Sequence, residues 1–150
     1  MSNHITEIKQ IGFVTTDIEK AIANFTAIGL TDWSPIEDVD PSEYEGMVLN
    51  GQPQEYGMRV ATNFELDVEL ELIQPLNEDS DYAQWLKKVD NWIALHHLSV
   101  STDDEDDLRA SGRKLLVAGH SKGIPLGWEY YDFRKEIGTV LEYFPMPVQE

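Results

Sequence analysis

The residues able to do chemistry in this chain fall into two sets that repeat each other. Gln10 heads an alternating pattern, Gln10-Ile-Gly-Phe-Val-Thr-Thr-Asp17, and His97 heads a second, His97-Leu-Ser-Val-Ser-Thr-Asp-Asp104. Glu71 sits in Leu70-Glu71-Leu72-Ile73 and Glu142 in Leu141-Glu142-Tyr143-Phe144, each closing its own run of strand-like segments. Together they offer an amide oxygen, an imidazole and two carboxylates. That donor set suits a divalent cation such as Zn²⁺, Ni²⁺, Co²⁺ or Mn²⁺, with room for water or substrate. Simpler readings exist for each member alone. Glu69 and Glu71 share one face of a strand that solvent could cover, and His97 could be an ordinary core histidine. His96, expected on the opposite face by alternation, competes for its role. Gln10 alone carries no information, so the joint placement makes the case. A buried strand carboxylate is costly unless paired or metal-bound, and two at repeat-equivalent positions call for an explanation.

Those positions meet only if the chain folds as two like units. Apolar alternation from Ile5 to Val14 predicts a strand, Asp17 an N-cap, and Ile18, Ala21, Ile22 and Phe25 a helical stripe that ends near Gly29. Thr31 to Ile36 reads as a short strand. Residues 37–56 read as a long acidic loop with a little strand around Met47 to Leu49. Tyr56 to Phe64 and Asp67 to Ile73 predict a hairpin ended by Pro75, and Ser80 caps a short helix through Lys88 with Tyr82, Trp85 and Leu86 turned inward. The pattern then restarts. Ile93 to Ser101 predicts a strand, and Asp103 to Asp107 open a helix carrying Leu108, Leu115 and Leu116 to near Gly119. Ile124 to Phe133 and Gly138 to Phe144 form a last hairpin across Arg134 to Ile137. The expected class is α+β, a duplicated strand-helix-strands unit. Two curled units paired about a pseudo-twofold axis would bring Gln10, Glu71, His97 and Glu142 onto one cleft.

Composition narrows the rest. The chain has 150 residues, 41% of them hydrophobic, which suits one domain with an ample core. Eleven Lys and Arg against 28 Asp and Glu leave a formal charge of −17, which repels nucleic acid and anionic lipid. Apolar runs are too short for a membrane span. With no cysteine, thiolate nucleophiles and zinc-thiolate sites are excluded, and metal ligands must be oxygen or imidazole. Met1-Ser2-Asn3-His4 opens no export signal, so a cytoplasmic location is expected.

The chain resembles the vicinal oxygen chelate superfamily, which includes glyoxalase I, methylmalonyl-CoA epimerase, extradiol dioxygenases and bleomycin or fosfomycin resistance proteins. The resemblance rests on Gln10-Ile-Gly-Phe-Val-Thr-Thr-Asp-Ile-Glu-Lys-Ala, Glu71-Leu-Ile-Gln-Pro75, His96-His97-Leu-Ser-Val and Gly138-Thr-Val-Leu-Glu142, in that order and spacing. It implies two paired βαβββ modules forming a curled sheet cleft in a single domain over residues 1–150. Module one would span about 5–76, a linking helix about 79–90 and module two about 92–146. It implies Gln10, Glu71, His97 and Glu142 as metal ligands. Many members have histidine where this chain has Gln10, a departure that argues against an extradiol dioxygenase. The implied activity is a metal-dependent isomerase or lyase, of methylmalonyl-CoA epimerase or lactoylglutathione lyase type, removing a proton next to a carbonyl through a metal-stabilised enolate. Glu142 would be ligand and base, with Glu45 in the acidic loop as a second acid or base. The implied substrate is an acyl-CoA, another thioester or a hemithioacetal, and the implied assembly a homodimer. The alternative is a non-catalytic small-molecule binding or resistance protein of the same fold. An anionic ligand would need a local cationic patch, to which Arg134 could contribute unless it pairs with Asp132 or Glu136. His120 is expected in a solvated loop.

Overall fold

Asp17 stops the first alternating run and starts the first helix, because its carboxylate accepts the backbone N–H of Lys20. In the computed structural model, which describes residues 5–103, 112–124 and 127–143, that run is β1 (Ile5–Thr15) and the helix is α1 (Ile18–Ala27). There follow β2 (Glu37–Val39), a 3-10 turn (Pro41–Glu43), β3 (Tyr44–Leu49), β4 (Gln52–Pro53), β5 (Met58–Asn63) and β6 (Glu69–Pro75). Ser80 caps α2 (Asp81–Val89), its hydroxyl accepting from the Ala83 N–H. The second half supplies β7 (Ile93–Thr102), β8 (Leu115–Ser121), β9 (Gly127–Phe133), a one-turn helix α3 (Arg134–Ile137) and β10 (Thr139–Tyr143). No helix among the described residues is long and apolar enough to cross a membrane.

The strands form one mixed sheet in the order β2-β5-β6-β1-β7-β10-β9-β8-β3-β4. At its centre β1 and β7 run antiparallel. On either side the last strand of each unit lies parallel to the first, β6 beside β1 and β10 beside β7, followed by antiparallel β5 and β9. The duplication is therefore a twofold strand order about the β1–β7 seam. Only the β3–β4 pair breaks it. β3 pairs with β8 in the far half of the sheet, yet just residues 40–43 separate it from β2 on the opposite edge. An extended link from Val39 to Tyr44 reaches at most about 17 Å, so the sheet must curl into a half-barrel.

The curl sorts the apolar side chains by face. On the convex side Ile18 and Ala21 of α1 pack on Ala61 and Leu72, with Phe13, Phe25 and Trp33 around them. On the concave side Met58 of β5 meets Met47 and Leu49 of β3, with Val14, Ile73, Tyr130, Val140 and the α2 residues Tyr82 and Leu86 in the same cluster.

Three expectations are corrected. Thr31 to Ile36 forms no strand; Trp33 makes a single bridge to Asn63, and its ring packs on Phe25. Residues 37–56 are largely extended rather than loop, because β8 supplies a hydrogen-bonding edge for Tyr44–Leu49 while the acidic side chains stay exposed. Leu115, Leu116 and Gly119 belong to β8 and not to a helix, since a short apolar run is ambiguous by periodicity alone. The rest of that expected helix, 104–111, lies outside the described residues.

Leu72 is fully buried between α1 and the sheet. Leu72→Ala is expected to cost about 2–5 kcal/mol in urea unfolding. Phe64→Ala, at a residue 70% exposed, should stay within about 0.5 kcal/mol.

Candidate metal centre and active site

Register places the candidate residues on one face. Gly12 of β1 stands directly between Glu71 of β6 and His97 of β7. One step along the face, Gln10 opposes Glu69 and Ser99, and Glu142 of β10 opposes Ser99 and Tyr130. Directly opposed residues share a sheet face, so all project to the concave side. There they border a cavity of about 220 Å³ lined by Gln10, Glu71, Glu142 and Tyr130, with apolar walls from Val39, Met58, Val60, Ile73 and Trp128. Glu37, Asp38 and Tyr44 complete the lining, and none of the described lining residues is Lys or Arg.

The polar atoms converge on His97 Nε2. Gln10 Oε1 lies 3.1 Å away, Glu71 Oε1 3.4 Å and the Tyr130 hydroxyl 3.4 Å. The Gln10 amide is oriented by its own Nε2, which donates to Glu69 Oε1 at 3.1 Å. The ring of His97 lies against bare backbone, since a Cβ on Gly12 would stand 2.0 Å from His97 Cε1. A glycine inside a strand ordinarily weakens it, and this one makes the close approach possible.

Burial sets the charges. It raises the Glu71 carboxyl to about 8, helped by the neighbouring Glu69 and opposed by the Gln10 amide. Burial also raises Glu142, with Glu71 adding to the rise while His97 and the hydroxyls of Tyr130 and Ser99 oppose it. It lowers His97, against the pull of Glu142, which favours the neutral imidazole.

A divalent cation answers an imbalance in this set. Glu71 Oε1 is buried without a hydrogen-bond partner. Donors bound about 2.0–2.2 Å from one ion stand roughly 3.0–3.5 Å apart, as Gln10 Oε1 and Glu71 Oε1 each do from His97 Nε2. Those three residues therefore fit an ion. Among the described residues, however, no three His, Cys, Asp or Glu side chains gather closely enough to hold one. The trio depends on the Gln10 amide, and Glu142 stands apart from the Glu71–His97 pair in the same cavity.

The remaining candidates lie elsewhere. Glu45 is exposed on β3 opposite His120, in a separate hollow with Met47, Gln54 and Glu55. His120 Nδ1 sits 3.1 Å from the Ser121 carbonyl oxygen. Arg134 is held mainly by Asp81, forking onto both carboxylate oxygens, with Asp132 3.9 Å from its Nε and Glu136 taken by Arg113. Its guanidinium also lies 4.6 Å from the centre of the Trp85 ring.

His96 departs from alternation. Gly12 pairs with His97 and the next residue, Phe13, with Leu95, so His96 is the extra residue of a β-bulge. The bulge turns it to the same side as His97. Their Nδ1 atoms lie 2.9 Å apart, and His96 Nε2 lies 2.8 Å from Asp81 Oδ2. Asp81 is a participant that sequence reasoning missed; an acid one residue after an N-cap looks like an ordinary helix-start charge. Burial would raise its carboxyl, but His96 and Arg134 override that and bring it down to about 2.

Comparison with known proteins agrees with the fold. A family model described as Glyoxalase/Bleomycin resistance protein/Dioxygenase superfamily matches residues 9–129. No curated protein matches the chain by sequence. Among solved structures, a variant of Streptomyces coelicolor methylmalonyl-CoA epimerase in complex with 2-nitronate-propionyl-CoA is similar at TM-score 0.62 and 20% identity, over 94% of each chain. Mycobacterium tuberculosis methylmalonyl-CoA epimerase gives 0.59 and 18%, over 95% of this chain and 90% of that one. A hypothetical protein from Bacillus halodurans gives 0.61 and 19%, over 100% and 99%. At these identities the likeness is one of fold.

Two outcomes follow from the geometry. Gly12→Ala should cost about 1–3 kcal/mol in thermal unfolding and shift the His97 ring resonances, because the ring has to move. Asp81 titrates near 2 when folded against 3.8 as a free side chain, so its stabilising contribution is full above about pH 4 and lost as pH falls through 2. In urea unfolding at pH 5 and pH 2, Asp81→Asn should remove an acid-limb loss of about 2 kcal/mol.

Proposed function

The chain belongs to the glyoxalase/bleomycin resistance protein/dioxygenase superfamily, and on that premise we propose that it is a metal-dependent isomerase or lyase that removes a proton next to a carbonyl. The observation that carries this reading is the convergence of Gln10 Oε1 and Glu71 Oε1 on His97 Nε2, beside a cavity that Glu142 also lines. Gln10, Glu71 and His97 would hold the ion, with Glu142 as a fourth candidate. A divalent ion bound there supplies positive charge for the oxygen of a developing enolate.

The protein's own residues do the rest. Burial raises the proton affinity of Glu142 above that of a free glutamate, which makes it the stronger base for a carbon acid. Tyr130 and Ser99 hold its carboxylate by their hydroxyls. Met58, Val60 and Ile73 give the cavity an apolar wall, and charge interactions against such a wall are stronger than in open water. Glu142 takes the proton from the carbon next to the carbonyl. Its return by Glu142 to the adjacent carbon gives a glyoxalase-type lyase, whereas an epimerase needs a second acid, such as a water in the cavity, to protonate the opposite face while Glu142 gives up its proton to solvent. Glu45, outside the cavity, has no place in this scheme. The same reading makes the chain a cytoplasmic homodimer acting on an acyl-CoA, another thioester or a hemithioacetal.

A second reading, a non-catalytic binder of a small molecule, draws on the aromatic wall. Tyr44 meets Trp128 edge-on at 5.3 Å, and both line the cavity with Tyr130.

Metal content of protein purified without chelator is the first test. A stoichiometric divalent ion is expected in the wild type and most of it should be lost in Glu71→Gln; no stoichiometric ion in the wild type overturns the metal reading. Exchange of the α-proton in deuterated solvent, on 2-methylmalonyl-CoA and on a hemithioacetal, separates enzyme from binder. Glu142→Gln should slow that exchange at least about 100-fold. No exchange with wild type across a panel of acyl-CoA and α-hydroxycarbonyl compounds favours the binder.

A further inference from the structure

His97 Nε2 can serve as an acceptor or a metal ligand only if its proton sits on Nδ1, and nothing inside the cavity enforces that. The residues behind it do. Arg134 forks onto both oxygens of Asp81, so Asp81 stays an ionised, acceptor-only group. Asp81 Oδ2 lies 2.8 Å from His96 Nε2, a distance that requires a proton between them, and the only atom able to carry it is His96 Nε2. Arg134 Nη2 is also near that nitrogen, but at 3.4 Å it is the weaker neighbour. Because Arg134 already offsets the charge of Asp81, little drives His96 to become an imidazolium.

A neutral His96 protonated on Nε2 has its lone pair on Nδ1. That lone pair faces His97 Nδ1 at 2.9 Å, so the proton of this contact comes from His97. We propose that Arg134, Asp81 and His96 form a positioning relay that holds His97 as the Nδ1–H tautomer and aims the lone pair of Nε2 at the point shared with Gln10 Oε1 and Glu71 Oε1. Glu69 does the matching task on the other side. By accepting from Gln10 Nε2 it turns the amide oxygen, not the nitrogen, toward His97. Two acceptors, Gln10 Oε1 and the Nε2 lone pair of His97, thus face each other beside Glu71 Oε1, with the Tyr130 hydroxyl 3.4 Å from that nitrogen. The two outer carboxylates, Asp81 and Glu69, thereby turn both acceptors toward one point.

The use of the relay rests on the metal reading, whereas the tautomer does not, and the test keeps them apart. In ¹⁵N-labelled, metal-free wild type at neutral pH, long-range ¹H–¹⁵N correlation should show His97 with a protonated Nδ1 and an unprotonated Nε2. Asp81→Asn lets an amide N–H donate to His96 Nε2, and should invert or mix the tautomers of both histidines while leaving the backbone amide spectrum largely unchanged. Co²⁺ affinity, measured by titration, should then fall about 10–100-fold. An Nε2–H tautomer in the wild type overturns the proposal, and this measurement needs no variant to fold. So does an unchanged tautomer in Asp81→Asn, or a flipped tautomer with unchanged Co²⁺ affinity. If wild type binds no Co²⁺ yet shows the expected tautomer, the relay stands and the metal reading falls.

Discussion

The imidazole of His97 rests on a stretch of backbone with no side chain, at Gly12, and the site is organised around that contact. The β1–β7 seam is where the two halves of the chain meet, so a residue there is reached from both units at once. With any larger residue at position 12 the ring would be pushed off the seam. Glu71 and Gln10 would then lose their contact with His97. The cost of burying two carboxylates on one concave face is offset only if something positive or proton-donating meets them, and the described lining residues contain no cation.

The duplicated topology explains why the acids come from different halves yet border one cavity. Each unit lays its last strand parallel to its first, so Glu71 and Glu142 flank the seam from either side. Symmetry then ends where the chain crosses from β2 to β3 and caps the far half of the sheet. That crossing makes the two faces chemically different. The inside gathers Met47, Leu49, Met58 and Tyr130 into one apolar cluster around the polar set, while the outside is left to α1.

How much of this was legible in the chain varies by element. The repeat of Gln10 against His97 and of Glu71 against Glu142 was visible because duplicated strands keep their pattern, and it pointed to residues that lie on one concave face, of which Gln10 and Glu71 approach His97. The caps at Asp17 and Ser80 were visible because capping is local chemistry. What depends on distant partners was hidden. Tyr44–Leu49 and Leu115–Ser121 become strands by pairing with each other, and neither segment announces its partner. His96 was misplaced because a bulge adds one residue and reverses alternation at that point. Arg134 was expected to pair within its own hairpin, yet Asp81, 53 residues earlier, holds it.

The central claim is that the concave face is a cation site centred on Gln10, Glu71 and His97, and the anomalous scattering of crystals grown with Co²⁺ tests it most directly. The account predicts one strong anomalous peak bonded to Gln10 Oε1, Glu71 Oε1 and His97 Nε2. A Co²⁺-soaked crystal with no peak there, or with peaks only on surface carboxylates, would contradict it.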